Sequence, residues 1–525
     1  MSYFNNDERF LALQRRGKDI SALLEEEMFL ISGDFYGIQK FIFDRLSTKN
    51  ASKVLRAKSA YIEIFTEYLA LYIRDKLGLE NRDVILTTNA GKFELLVPKM
   101  EFDLESIQKT IDAYFMKNFY GLTGVILSAV PCTKSDFTTT NYQQLRQKID
   151  ASLEKKRFKK FNLADEESDP CLSYDTNIDN GTLCTVCNIR KIEKENCSLC
   201  NHFIKLGQKL SYSHEEETLK SDEIGMKIEE FVTDVHLSKE VKSYVYFDGH
   251  SPADFKVLAE KSNGLESLAI LKADVDGMGN FFDNTNNDVS NSFEKFDAFS
   301  KNIDSFFSVY IPQLMAEKYT YTYTVFAGGD DLFLLGAWDE VLALAREIEQ
   351  EFKAFVLDDT LTLSFGIAIA KPNTPISYLA HESEALLERS KEFCLDKQGK
   401  RLTHEACEQL EEHEKKVKDA ITLFDETVSW REYKEVFYRL ESAFEGFEMV
   451  NSATLYRLLE ICEMSKHIHS DMRNSMWKSK LNYFFSRNIE VKYHHILKEL
   501  NELIEVNPEA TKMFLSEFIY KRRDV

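Results

Sequence analysis

A two-part sequence pattern occurs twice in this 525-residue chain, about 240 residues apart, and it restricts the chain to folds that use one unit two times. The first part is Asp-x-x-Gly-x-x-x-Phe, present as Asp34 to Phe41 and again as Asp274 to Phe281. The second is a turn between apolar runs. It reads Thr87-Thr88-Asn89-Ala90-Gly91-Lys92-Phe93 in one copy and Phe326-Ala327-Gly328-Gly329-Asp330-Asp331-Leu332 in the other. The parts are spaced alike in both copies, but their chemistry differs: the second turn carries two carboxylates where the first has Lys92.

The runs flanking Gly328 to Asp331 have the β-branched and aromatic make-up of strands, so the four residues form a hairpin turn. Paired glycines permit positive φ and let the backbone approach a ligand. Adjacent carboxylates at a hairpin tip repel each other, a cost offset by binding a hard cation. Taken alone, the turn is also explained as an ordinary Gly-Asp hairpin. Upstream, Leu268 to Ala273 reads as a buried strand ending in Asp274. Gly277 then opens a helix whose free amides suit phosphate oxygens. Asp274-x-Asp276-Gly277 also imitates the start of a calcium loop, but the Glu that an EF-hand needs at its twelfth position is missing. A strand aspartate beside a hairpin Asp-Asp is the set required for two-metal transfer of a nucleotidyl group, with Asp274, Asp330 and Asp331 as ligands of Mg2+ or Mn2+. Asp276 is either a third ligand or a turn-capping residue.

Nine cysteines, with no leader peptide and no apolar stretch long enough to span a membrane, point to a reducing cytoplasm. Cys184-x-x-Cys187 and Cys197-x-x-Cys200 are two knuckles whose four thiolates can close a tetrahedral structural Zn2+ site. Cys171 is a spare nearby, and Cys132, Cys394, Cys407 and Cys462 read as isolated core residues.

The length suits three to five domains. Only the polar stretch from Glu166 to Asn180 and the tip from Asn284 to Asn291 have the composition of disorder. A net charge of −21 excludes a protein that wraps RNA unaided, so any guide or target strand is held mainly by partners. The basic runs Lys155 to Lys160 and Lys521 to Arg523 read first as solvated faces and second as phosphate contacts. Helix Pro375–Lys391 brings Lys391 towards the acidic turn, where it can neutralise phosphate charge; the plainer reading is a helix-end cation in solvent.

Over about residues 27 to 400 these motifs resemble, in order, those of the large subunit of type III CRISPR effector complexes, the Csm type in particular. The match covers Gly33 to Ile42, a basic, serine-containing helix at Ala51 to Ser59, the zinc knuckles and the Gly-Gly-Asp-Asp hairpin. The resemblance implies an α+β multidomain fold with two ferredoxin-like palm domains related to cyclases and polymerases. Its expected divisions are a polar, helical lead-in (1–26), a degenerate first palm (27–165), a zinc-binding linker (166–262), a catalytic second palm (263–400) and a C-terminal helical domain (401–525).

The resemblance also implies ATP as substrate and cyclic oligoadenylates as product, made when the assembled complex binds target RNA. Other subunits of the complex, with guide and target RNA, are the implied partners. Gly328 and Gly329 would lie against the acceptor nucleotide, Gly277 and Lys391 against phosphate, and Ser32 and Gly33 on a second nucleotide's wall. Asp34, without a hairpin carboxylate, would be structural or base-facing. Many relatives begin with a nuclease domain built on a His-Asp pair. This sequence has no His-Asp dipeptide and no histidine before His202, so no DNase activity is expected. Three alternatives stay open: conjugation of ATP to S-adenosylmethionine at the same site, a stand-alone nucleotide cyclase, and a non-catalytic scaffold subunit.

Overall fold

A computed structural model describes residues 3–523 except 44–49, 90, 138–140, 159–182, 189, 193–194, 211–216, 238–243, 249–250, 284–287, 397–400, 403–405, 408, 411–414, 446–450 and 469. The stretch 166–180, Cys171, Lys159, Lys160 and the first half of the 284–291 tip lie outside the described residues. The second half of that tip is an ordered turn with Val289 buried.

The first repeat unit runs β1 (Met28–Tyr36), α1 (Ala51–Lys76), β2 (Ile85–Asn89), β3 (Lys92–Pro98), α2 (Leu104–Phe119) and β4 (Gly124–Cys132). Its sheet has the order β2-β3-β1-β4 and is antiparallel throughout. Alternation along β1 divides its faces. Ile31 and Phe35 pack under α1, whereas Met28 and Leu30 pack under α3 (Asn141–Arg157). The zinc-knuckle helix α4 (Ser198–Lys209) lies on α1.

The second unit repeats this topology as β5 (Leu268–Asp276), α5 (Phe293–Ser305), β6 (Thr322–Gly328), β7 (Asp331–Ala337), α6 (Trp338–Phe355) and β8 (Thr362–Ala370), followed by α7 (Ile376–Lys391). One difference from the sequence reading lies past residue 401, where a wholly helical region was expected. Strands β9 (Ala420–Leu423) and β10 (Glu426–Ser429) come first and extend the second sheet to β6-β7-β5-β8-β9-β10. At four residues each, they are too short to show a period of their own, and β8 supplies the pairing edge. Helices then follow from α8 (Trp430–Ala443) through α9 (Ser452–Lys466), α10 (Trp477–Asn488) and α11 (His494–Val506) to α12 (Pro508–Arg522), sharing one core with α5 and α6.

The lead-in is not a polar helix. It has one helical turn (Glu8–Leu11) and buries Phe4, Phe10 and Leu13 in the second unit's core, then Ile20 in the first unit's. The two units also meet directly, through the Phe43 and Phe333 rings 4.5 Å apart and a 2.7 Å hydrogen bond from the Tyr323 hydroxyl to the Ser52 carbonyl.

Cys132 and Cys462 are buried free thiols, but Cys394 and Cys407 are not separate core residues: they are joined as a disulfide. The chain after α7 turns back on itself, pairing Cys394–Asp396 with Lys415–Val417, and this brings them together. The basic runs are also more engaged than the solvated reading allows. Lys156 donates to the Leu127 carbonyl, Arg157 pairs with Asp34, and Lys521 pairs with Glu517. No described helix is long and apolar enough to cross a membrane.

Candidate active site

Strand β5 is apolar except at Lys272, Asp274 and Asp276, which the two-residue period puts on one face. Asp274 is the cross-strand partner of Asp331 on one side and of Ser364 on the other. Directly opposed residues of an antiparallel pair stand about 5 Å apart, so the two carboxylates share one spot at the sheet end. The connecting turn is tight. Gly328 pairs with Asp331, Gly329 has φ of 62°, and Asp330 forms the exposed tip. Positive φ at the first turn position is the type II′ pattern, which requires glycine there.

Crowding of like charge away from water is visible in the proton affinities. Burial first, then the neighbouring Asp274 and Asp330, push the Asp331 carboxyl up to about 7. Although its side chain reaches solvent, the protein packed around the turn and the neighbouring Asp274 also raise Asp330. Lys391 is not the solvated helix-end cation of the plainer reading: its Nζ lies 3.0 Å from Asp274 Oδ2. Burial opposes its charge, but Asp274 outweighs that and holds the ammonium above its usual range. Three clustered carboxylates face Lys391, while Lys272 beneath them is paired with Glu384; this hard-oxygen donor set is deficient in positive charge, which fits divalent cations.

Asp276 is tied up elsewhere. It is buried, and its Oδ2 accepts from Ser364 Oγ at 2.8 Å, Thr362 Oγ1 at 3.0 Å and the Asp419 amide at 3.1 Å, linking β5 to β8 and to the start of β9. Oδ2 thus serves the capping alternative, while Oδ1 is buried with no hydrogen-bond partner and leaves the ligation alternative open. Asp276→Ala is expected to cost about 2–4 kcal/mol in denaturant unfolding, and its divalent-cation affinity decides between the alternatives: unchanged for a cap, lowered for a ligand.

In the first unit Asp34 occupies the Asp274 position, and its cross-strand partner is Lys92. Asp34 is buried and paired with Arg157, so its charge is already neutralised within the protein. Ser32 reaches the cleft but Gly33 does not. A Cβ on Gly33 would fall 2.1 Å from the Phe93 ring, so the missing side chain serves packing. Gly277, at φ of 80°, is likewise pressed against the Thr360 carbonyl.

Between the units runs a cleft with two lobes, and Asp330 borders both. One, of about 470 Å³, is lined by Ser32, Lys92, Arg157 and Asp304. The other, of about 320 Å³, is walled by Phe35, Phe43, Phe326 and Asp331. Sequence reasoning missed two residues here. Lys272 is buried beneath the carboxylates and paired with Glu384 on α7, and it was visible as the one charge in an apolar run. Asp304, on α5, accepts from the Gly329 amide at 2.7 Å, and no local pattern marks it.

Away from the cleft, Cys184, Cys187, Cys197 and Cys200 are all buried, with their sulfurs within 4.8 Å of one another. Backbone amides of Val186 and Cys200 point at Cys184 and Cys197, as they do where thiolate charge needs support. The set fits a four-thiolate metal.

Fold and site together define a tandem-palm protein with one acidic, metal-competent centre and one neutralised copy of it. Comparison with known proteins agrees. Residues 267–401 match the family described as Cas10/Cmr2, second palm domain, and residues 27–169 match Csm1 subunit domain B. A Cas10/Csm1 single-strand-specific deoxyribonuclease of subtype III-A from Streptococcus thermophilus is 27% identical over 410 residues, 71% of this chain and 53% of the relative. One of the same description from Methanocaldococcus jannaschii is 27% identical over 542 residues, 84% and 65% of the two chains. This chain thus spans about half to two thirds of those relatives' lengths. In fold it is similar to a Csm1-Csm4 cassette in complex with cA4 (TM-score 0.68, 20% identity, covering 95% of this chain and 70% of that one). It is also similar to a cassette in complex with AMPPNP (TM-score 0.64, 20% identity, 94% and 70%). The chain belongs to the Csm-type Cas10 large-subunit family.

Proposed function

We propose that this chain joins ATP into cyclic oligoadenylates as the large subunit of a type III CRISPR effector complex, and that it does so when the complex holds target RNA. One observation carries the reading: Asp274 and Asp331 are register partners beneath the Asp330 tip, at the mouth of a cleft that the first palm closes from the other side. Asp274, Asp330 and Asp331 would hold two Mg2+ ions, which when bound activate an attacking 3′-hydroxyl and neutralise departing pyrophosphate. Lys391, now on Asp274, is within reach of a triphosphate. The two lobes flanking Asp330 give room for a donor and an acceptor nucleotide, and the small Gly328 and Gly329 leave the turn backbone open to the acceptor. Lys92 supplies positive charge on the far wall, where Arg157 is already paired with Asp34. The four cysteines hold a structural zinc, since all four coordination positions are filled by protein.

A Csm4-type subunit is the partner suggested by the fold neighbours, and the chain's own acidity assigns most RNA contact to the rest of the complex.

The test is product analysis by mass spectrometry. The assembled complex, with guide and matching target RNA, is incubated with Mg2+ and ATP, with and without S-adenosylmethionine. Cyclic adenylates from ATP alone are expected. A product formed only with S-adenosylmethionine would move the assignment to conjugation. No product from a complex that binds target would leave a scaffold.

A further inference from the structure

The tip of an acidic hairpin has no reason of its own to stay in place. A two-residue turn projects past the last ladder bond, its first amide points away from the partner strand, and its carboxylates repel each other. In this chain an outside residue holds that amide. Asp304 Oδ1 accepts from Gly329 N at 2.7 Å, and the same oxygen lies 3.3 Å from where a Cβ on Gly328 would stand. We propose that Asp304 is a positioning residue for the Asp330-Asp331 pair; this rests on the reading that the pair binds divalent cations.

Three features make Asp304 a firm anchor. It sits next to the C-terminal end of α5, where the helix widens into a π turn at Phe306–Tyr310, a local distortion that recurs at functional sites. The flanking Ile303, Phe306 and Phe307 are fully buried in the second unit's core, so the helix end cannot drift. On its outer side α5 is laced to the lead-in: the Arg15 amide donates to Asn302 Oδ1, Asn302 Nδ2 donates to the Arg15 carbonyl, and the Lys18 amide donates to Asp297 Oδ2. Asp304 therefore adds the rigidity of a braced helix to a turn otherwise held only by its own ladder and by the Val275 amide, which donates to the Asp330 carbonyl at 3.1 Å. A carboxylate does this better than a neutral acceptor, because a charge-assisted bond is about twice as strong. Asp304 also borders both the large lobe and the small pocket behind the hairpin, so it fixes the turn's place between them.

The test is hydrogen–deuterium exchange at the peptide carrying Gly328 to Asp331, together with Mn2+ titration of the purified chain followed by electron paramagnetic resonance. In Asp304→Ala the turn amide is expected to exchange about ten-fold faster and Mn2+ half-saturation to rise about ten-fold. In Asp304→Asn, which keeps an acceptor, both should stay within about three-fold of wild type. Within the complex, kcat should fall in Asp304→Ala with KM for ATP little changed. Unaltered turn exchange in Asp304→Ala overturns the proposal. So does an Asp304→Asn variant that keeps the turn protected yet loses Mn2+ affinity as fully as Asp304→Ala, since Asp304 would then be a ligand. Wild-type protein that binds no Mn2+ would overturn the parent reading instead. If Asp304→Ala does not fold, Asp304→Ser, whose hydroxyl is too short to reach, takes its place in both measurements.

Discussion

Asp331→Asn is expected to abolish nucleotidyl transfer and, in the same protein, to raise the melting temperature. The loss of activity follows from removing one of three carboxylates that share a spot, and should exceed about a thousand-fold in product formation by the assembled complex. The gain in stability follows from linkage. Folded Asp331 keeps its proton up to about pH 7, whereas in the unfolded chain it ionises near its ordinary value of 3.8. Between those limits the folded state binds more protons, so its stability falls as pH rises towards 7 and stays low above. Asparagine removes that cost, worth about 1–3 kcal/mol at pH 8 once coupling to Asp274 and Asp330 is allowed for. Calorimetry should therefore show Asp331→Asn and wild type melting alike below the unfolded value of 3.8, the variant drawing ahead as pH rises towards 7, and the full gap at pH 8. Mg2+ should close the gap by raising wild type alone. A variant that melts below wild type at pH 8 would show that the carboxylates are not repelling each other.

Removal of the cysteine-bound metal should have the larger structural effect. Cys200→Ser, or a strong chelator, is expected to release one equivalent of zinc, measured by mass spectrometry of the metal, and to lower stability on the order of 5 kcal/mol or more. The damage should not stay local. Helix α4 begins at the second knuckle and packs so closely on α1 that a Cβ on Gly207 would fall 2.0 Å from the Lys53 carbonyl. Its Phe203 ring lies edge-on to Tyr61, 5.4 Å away, inside the first palm's core. Near-UV circular dichroism should thus lose aromatic signal from the first palm as zinc leaves. Zinc retained in Cys200→Ser, or melting unmoved by chelation, would contradict a four-thiolate structural site.

What could be read from the chain beforehand was whatever had its determinants close together in sequence. The Asp274 strand, the acidic hairpin and the two knuckles each depend on a few adjacent residues, and the repeat reported their pairing without any structure. Contacts assembled from distant segments left no such trace. Lys391 is the exception, since the sequence already brings its helix towards the turn; the pairing with Asp274 itself follows from α7 lying across β5. Asp304 is one acid among several on an amphipathic helix until the hairpin arrives beside it. Gly33 looked like a ligand-facing glycine because nothing near it in sequence announces the Phe93 ring. Cys394 and Cys407 looked isolated because a return strand more than ten residues on brings them together.

The extension of the second sheet has a mechanical consequence. From β6 to β10 the strands are consecutive hydrogen-bonded neighbours, and β10 runs straight into the first helix of the C-terminal bundle, where Ser429 caps Trp430–Ala443. The acidic turn and the bundle are thus opposite margins of one stiff plate. Asp276, gripping β8 and the entry to β9 at once, acts as a rivet through its middle. Any torque applied to the bundle is delivered, through β10, β9 and β8, to the strand that carries Asp274.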